Sequence, residues 1–566
     1  MHTVLRIPEL LHFIFEQSSR KDNIQNALVC KQWSEIALDV VWHDVDSLAA
    51  LFNLLSPVVK APVNWFPHVY SFDFRTEPTA NDWERFEKLY SHRIRRLALS
   101  DKGNCDFTSI LQRVARDRPP RPLLPNLREL GCSGKSIQKH LVLFMHEGVR
   151  RATISCLSDS MLVLGILEQF RFITPNLMHL EVCFTPRDGD TARLVDIVKH
   201  MLHLETVSLP MHQDSCMLFA RLSRLKRLKT LNLTSPYVDG PMPDCPLRVD
   251  LLQSLQHLEL AVDYELATRS LQHDMPSLRS IIICSDHIES PDHFRQLASA
   301  IANACRDITT VHLTFNRKPY HLAEINFPLK SFVSVADIEP LFQCKSISDL
   351  KITHLYALNE VHANAGKLGL NFPGLRSLVL NPNGSNPAKY RIKPSARVLL
   401  RIAKSCPNIE HLGIPFSTSA LDNDISCVLH NLQTLDVGVS EVREEIQTAL
   451  FFSEILPPKC KILWDQSYIQ KSAQLWRNVQ NAFPRLAERA RLTRRTLDSK
   501  KKLQTKLKFA EERLKSVVVL EDKVLVLTRE LERERAKNAS FSIEGLEVDT
   551  TVDGAGDTCA LSFEST

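Results

Sequence analysis

The side chains best able to do chemistry in this 566-residue chain are its 14 cysteines and 21 histidines, and their spacing withholds the usual chemistries from them. The closest cysteine pairs, Cys284/Cys305 and Cys406/Cys427, are 21 residues apart, so no CxxC or CxxxC occurs. Zinc sites and redox motifs rely on two thiolates delivered by one tight turn, and no turn here carries two. The cysteines therefore read as buried free thiols, small apolar residues in a reducing compartment, with no metal and no disulfide framework. The histidines are scattered, and His179, His257, His312 and His411 fall between the leucines of a repeat. No GxxxxGK[ST], GxSxG, HExxH or Gly-rich dinucleotide loop is present, and the one GAG, at 554–556, lies in a polar tail. The residue types point away from an enzyme and from any cofactor, and toward a surface that binds.

What would position such a surface is a repeat. From residue 69 to 437 one template recurs: an apolar residue, two others, an apolar residue, one other, an apolar residue. Examples are VYSFDF at 69, LRELGC at 127, LMHLEV at 177, LKTLNL at 228, LRSIII at 278, LRSLVL at 375 and LQTLDV at 432. Fourteen matches occur at intervals of 22 to 39 residues, often behind a Pro-containing entry such as LPNL, TPNL, MPSL, FPGL or CPNI. Alternation over the last three positions makes a short strand with one face inward. Segments such as DHFRQLASAIANACRDI carry the helical period that returns the chain across the back. One strand-turn-helix unit cannot bury its apolar face alone, so the units must stack into a solenoid.

These motifs resemble the leucine-rich-repeat family over about 370 residues, in the irregular, cysteine-containing form; Cys305, Cys344 and Cys406 stand just before their strands. The resemblance implies a concave, strand-lined binding surface. Its outward positions would be Glu181, Ser208, Asn232, Glu259, His312, Lys351 and Asp436, of which Glu181, Asn232, Glu259, His312, Lys351 and Asp436 are the candidate substrate contacts. They are chemically mixed and name no ligand class. Two inserted loops, in the interval 308–347 and in NPNGSNPAKYRIKP at 381–394, are alternative recognition elements.

Ahead of the repeats, IPELLHFIFEQ places Leu10, Leu11, Ile14 and Phe15 on one helix face behind Pro8. Asp22 caps a second helix, and CKQWSEIALDVVW repeats Trp33, Ile36, Ala37 and Val40 at helical spacing. Three short helices in about 40 residues cannot bury that much apolar surface alone, so the excess faces the next domain or a partner. Ile7-Pro8-Glu9-Leu10-Leu11, Ile14-Phe15 and Val29-Cys30-Lys31-x-Trp33 followed by Trp42 resemble the F-box, in the divergent form found in mushroom-forming fungi. The sequence departs from that family in having Pro-Glu-Leu for Pro-x-Glu and one residue fewer before the final Trp. The resemblance implies docking to the Skp adaptor of a cullin–RING (SCF) ubiquitin ligase, with Ile7, Pro8, Leu11, Val29, Cys30 and Trp33 at or beside the contact. The same helices would alternatively serve only as the cap of the array.

After the repeats, residues 466–483 read as an amphipathic capping helix bearing Ile469, Leu475, Trp476, Val479 and Phe483. Pro484 then opens a charged helix to about 539. Leu503, Leu507, Leu514, Val517, Leu520, Val524, Leu527 and Leu531 form a heptad seam with one stammer, as in a coiled-coil homodimer; a lone solvated helix is the alternative. Residues 485–537 hold 17 Lys and Arg against 9 Asp and Glu, while the last 26 residues hold six acids and no base. A basic helix without a DNA-reading module is a weak nucleic-acid signal. No stretch approaches the ~20 apolar residues of a membrane span and no secretory signal is visible, so a cytoplasmic or nuclear protein is expected. The fold expected is α/β: a helical module at 1–48, a solenoid at 49–465, a capping helix at 466–483, a coiled coil at 484–539 and a disordered acidic tail at 540–566. The function expected is that of an SCF substrate receptor, with a repeat-protein scaffold lacking ligase contact as the alternative.

Overall fold

The computed structural model describes residues 7–541 except 64–65, 101–104, 158, 188, 213–214, 235–245, 317–331, 385–394, 419–420, 422–426 and 466–469. The candidate loop at 381–394 and the acidic tail thus fall largely outside the described residues, as does the middle of the interval 308–347, at 317–331. The chain divides into two units, Met1–Glu488 and Arg489–Thr566.

The first unit is an α/β solenoid built on a 15-stranded sheet, every strand pair of which is parallel and, apart from three strands set aside, in chain order. The sheet opens at Asp44–Val45 and ends at Lys461–Trp464. Alternation decides its two faces. Leu97, Leu130, Ala152, Leu180, Val207, Leu231 and Leu258 pair rung to rung and are buried, as are their counterparts as far as Ile462. Each such Val, Leu or Ile side chain contributes roughly 1.5–3 kcal/mol by leaving water. Helices such as Ser160–Ile173 and Pro291–Ala304 cover this face with Leu164, Leu167, Phe170, Phe294, Leu297 and Ile301. Register is held by a recurring clamp. From Glu129–Ser133 to Thr434–Gly438, the two amides opening each strand of this sheet donate to one carbonyl of the preceding repeat, as Lys229 and Thr230 do to Glu205, and Gln256 and His257 to Lys229. A second sheet pairs Val58–Val63 antiparallel with Phe66–Phe74, and the latter parallel with Cys105–Asp106.

Three helices precede the array: α1 (Pro8–Glu16), α2 (Arg20–Asn26) and α3 (Lys31–His43). The cap of α2 is Ser19, whose Oγ accepts from the Asp22 amide at 3.2 Å. Asp22 sits in the first turn instead, accepting from the Ser19 hydroxyl at 2.6 Å. The sequence pointed to Asp22 because both residue types cap; only the backbone, extended at Ser19, decides between them.

At the far end, Trp476, Val479, Phe483 and Ala487 of the helix Gln470–Phe541 join the array core. Trp476 stacks on Phe452 at 6.0 Å and donates its indole N–H to the Ser440 carbonyl at 2.9 Å. The helix runs on through Pro484, where the sequence suggested a boundary; a proline removes one backbone donor and bends a helix without obliging it to end.

Cys305, Cys344 and Cys406 each terminate a helix immediately before the turn into a strand and are buried. Burial pushes the Cys305 thiol up to about 12 and raises the other two. Cys216 departs from the expectation of free thiols, because it is disulfide-bonded. The spacing argument covered only cysteines close in sequence, whereas a disulfide depends on Cα–Cα distance in the fold.

Candidate functional site

Two surfaces of the first unit are fit for binding. The N-terminal one begins with a very small core: Leu11, Phe15 and Ala37, with Ala27, Trp33, Ile36 and Val40 partly buried against them. So little interior leaves apolar side chains outside. Ile7, Leu10, Phe13, Ile14, Ile24, Leu28 and Val29 are all exposed, Leu28 to 78% and Phe13 to 62%. Single exposed apolar residues mean little, but seven occur within residues 7–29, on a module whose core is too small to take them.

Of the six residues assigned from sequence, Ile7, Pro8 and Val29 are exposed, while Cys30, the N-cap of α3, and Trp33 are half-buried. Leu11 is fully buried, so it can support a contact from within but not make one. Trp33 packs edge-to-face on Phe15 at 5.4 Å, and its indole N–H has no partner among the described residues. Leu10 and Ile14, read from sequence on the face shared with Leu11 and Phe15, point outward instead. Positions 10/14 and 11/15 are adjacent rows of one helix, and packing against α3 selects the second row.

The module is fastened rigidly to the array. Helix α3 passes directly into the first strand of the sheet, Asp44–Val45, which pairs with Arg96–Leu97. The Arg95 amide donates to the His43 carbonyl at 3.0 Å. Trp42 meets Tyr90 edge-on at 5.6 Å. Arg93, with only 3% of its side chain exposed, donates to the Glu35 and Asp39 carboxylates, to the Glu35 carbonyl at 2.8 Å and to the Leu89 carbonyl at 2.6 Å. Burial alone would weaken its charge, but the hydrogen bonds and charges of Glu35 and Asp39 outweigh this and hold its pKa above the ordinary value.

The second surface is the open face of the sheet. Register places Glu181, Ser208, Asn232, Glu259, Ile282, His312 and Lys351 on one continuous row, which continues through Val379 and Gly413 to Asp436. The six candidate contacts thus share one row, although their ends are 255 residues apart in sequence from Glu181 to Asp436. Ile282 and Val379 interrupt the row with apolar side chains. His312 Nε2 meets the Asp349 carboxylate on the neighbouring strand at 3.0 Å. Burial would raise Asp349, but hydrogen bonds from His312 and Ser377 pull it below the ordinary range. Glu259 and Asp436 behave oppositely. Burial raises both, and His312 beside the first, or Gly438 N–H and Lys351 beside the second, only partly offset it. Each is a half-desolvated acid that gains by meeting a cation from outside.

The second unit contributes the helix from Arg489 onward. Leu503, Leu507, Leu514, Leu520, Val524, Leu527 and Leu531 are 55–69% exposed and Val517 is 49% exposed. Val518, Val519, Leu525 and Val526 are exposed as well. At 100° per residue these put apolar side chains on every side of the helix between 517 and 527, more than a single two-stranded seam uses. Among the described residues no group of three metal-ligating side chains occurs, and no helix is long and apolar enough to cross a membrane.

No protein-family model matches the chain, and no curated protein matches it. Among solved structures, the crystal structure of the Rad7 and Elc1 complex in yeast aligns over 82% of this chain and 90% of that chain, at 12% identity and a TM-score of 0.35. At that score and identity the likeness transfers neither fold nor function.

Proposed function

We propose that this chain is a substrate-recognition adaptor of an SCF-type ubiquitin ligase: α1–α3 bind the Skp adaptor and the open face of the sheet holds a protein substrate. The observation that carries the reading is the exposed apolar set Ile7, Leu10, Phe13, Ile14, Ile24, Leu28 and Val29 on a module clamped to a binding array by Arg93. The resemblance of Ile7-Pro8-Glu9-Leu10-Leu11 and Val29-Cys30-Lys31-x-Trp33 to the F-box supports the Skp adaptor as that partner. A receptor needs no catalytic residue; it contributes proximity and orientation, and a rigid junction transmits orientation where a flexible one would not. The partners would be the Skp adaptor, the cullin–RING ligase and an as yet unnamed protein substrate, with no role for nucleic acid or membrane, in the cytoplasm or nucleus.

Co-purification with the Skp adaptor tests this. Wild type should retain the adaptor, and Leu28→Asp/Val29→Asp should lose it while keeping the wild-type melting temperature, since both side chains already face water. Failure of the wild type to bind would remove the receptor reading. A second reading, a scaffold that self-associates without ligase contact, is favoured by the all-round apolar segment at 517–527.

A further inference from the structure

The row of the open face that carries Glu181, Ser208 and Asn232 begins differently. Its first three rungs are Ala98, Gly131 and Thr153, directly in register. The next row along opens with three hydroxyls, Ser100, Ser133 and Ser155, paired rung to rung, and Cys183 follows. Above these short side chains lies a cavity of about 610 Å³, within the ~300–1,000 Å³ range of ligand pockets. One wall is Phe72 and Phe107, stacked at 4.5 Å with an interplanar angle of 16°, and Asp46 stands at the rim.

The floor is not shallow for want of room. A Cβ built at Gly131 would meet Ala98 Cα at 3.7 Å and Leu97 O at 3.8 Å, ordinary contact distances. Gly131 is also absent from the residues with positive φ, so neither turn geometry nor close packing demands glycine there. A larger side chain would be accommodated, and what it would remove is the cavity.

The lining also restricts the occupant. Among the described residues it contains one charged side chain, Asp46. The Asp46 carboxylate has no hydrogen-bond or ion-pair partner among the described residues, and the serine row presents acceptor oxygens. A flat cation meets all three features: it pairs with the carboxylate, donates to hydroxyls and lies against aromatic rings. We infer that the cavity lined by Asp46, Ser100, Gly131, Ser133 and Phe107 receives a basic side chain, arginine ahead of lysine, from the protein held on the open face. This rests on that face being the substrate surface, and not on the adaptor contact.

The test uses the full-length chain and a peptide library with each amino acid fixed in turn at the centre of a neutral Gly/Ser/Ala background. Peptides with central arginine should be retained about tenfold over those with alanine or glutamate, the discrimination expected of one charge-assisted pair. Asp46→Asn, a change at an exposed side chain, should erase the preference, and Gly131→Leu should abolish retention by filling the floor. If Gly131→Leu does not fold, Ala98→Leu on the neighbouring rung replaces it. No enrichment of basic peptides, enrichment of acidic or aliphatic ones, or a preference surviving Asp46→Asn would overturn the inference. None of these readouts involves the Skp adaptor, so loss of adaptor binding would remove only the ligase reading.

Discussion

Arg93 makes a sharp prediction because its two sides are unequal. Its guanidinium is buried, whereas the carboxylates it holds, Glu35 and Asp39, have side chains 66% and 50% exposed. Arg93→Met removes the cation and returns two carboxylates to water, so the loss is that of two charge-assisted bonds to solvated acids, about 2–3 kcal/mol. Glu35→Ala/Asp39→Ala does the reverse. It strands a buried cation with two backbone carbonyls as its remaining acceptors, at about 3–5 kcal/mol. The acid-removing variant should therefore be the less stable of the two, although it deletes only exposed charges. Hydrogen exchange followed by mass spectrometry localises the effect. In Arg93→Met, protection within Lys31–His43 should fall about 30- to 150-fold, which is 2–3 kcal/mol at tenfold per 1.4 kcal/mol, while strands near Thr310–Phe315 keep theirs. Equal exchange in wild type and variant, or a loss spread evenly over the array, would refute the idea that this one residue fixes the module's orientation. So would a Glu35→Ala/Asp39→Ala protein more stable than Arg93→Met.

Two further outcomes follow from the geometry. Burial lowers His354 from 6.5 to about 4, so the unfolded chain takes up its proton first as pH falls; the stabilisation is complete above about 6.5 and is lost toward pH 4. Urea unfolding should show about 2 kcal/mol of this loss between pH 7 and pH 5, and His354→Gln should reduce the pH slope by that amount; identical slopes would rule the histidine out. If the C-terminal helix self-associates, light scattering of the full chain at tens of micromolar should give at least twice the monomer mass, and Leu520→Lys/Leu527→Lys should restore the monomer. A monomeric wild type would leave the exposed seam without a partner of its own kind.

Local pattern was enough to read the strand ladder and the row of side chains on its open face. Period-two alternation assigns Leu231 inward and Asn232 outward, and the recurrence near every 28 residues makes each strand the neighbour of the next, so local pattern implies long-range register. It also marked the N-terminal helices as carrying more apolar surface than they can bury. Which of those side chains face out was not legible, because Leu10 and Leu11 are chemically equivalent and only packing on α3 separates them. Nor was Arg93, which lies 54 and 58 residues from its two acids and has no motif to announce it. The cavity beside Asp46 was equally hidden. Ala98, Gly131 and Thr153 are unremarkable in sequence, and only stacking three repeats in register sets their small side chains under one pair of phenylalanines. Periodic features are written locally because one residue's neighbours repeat; a clamp or a pocket depends on where separate segments meet, and only the tertiary structure decides that.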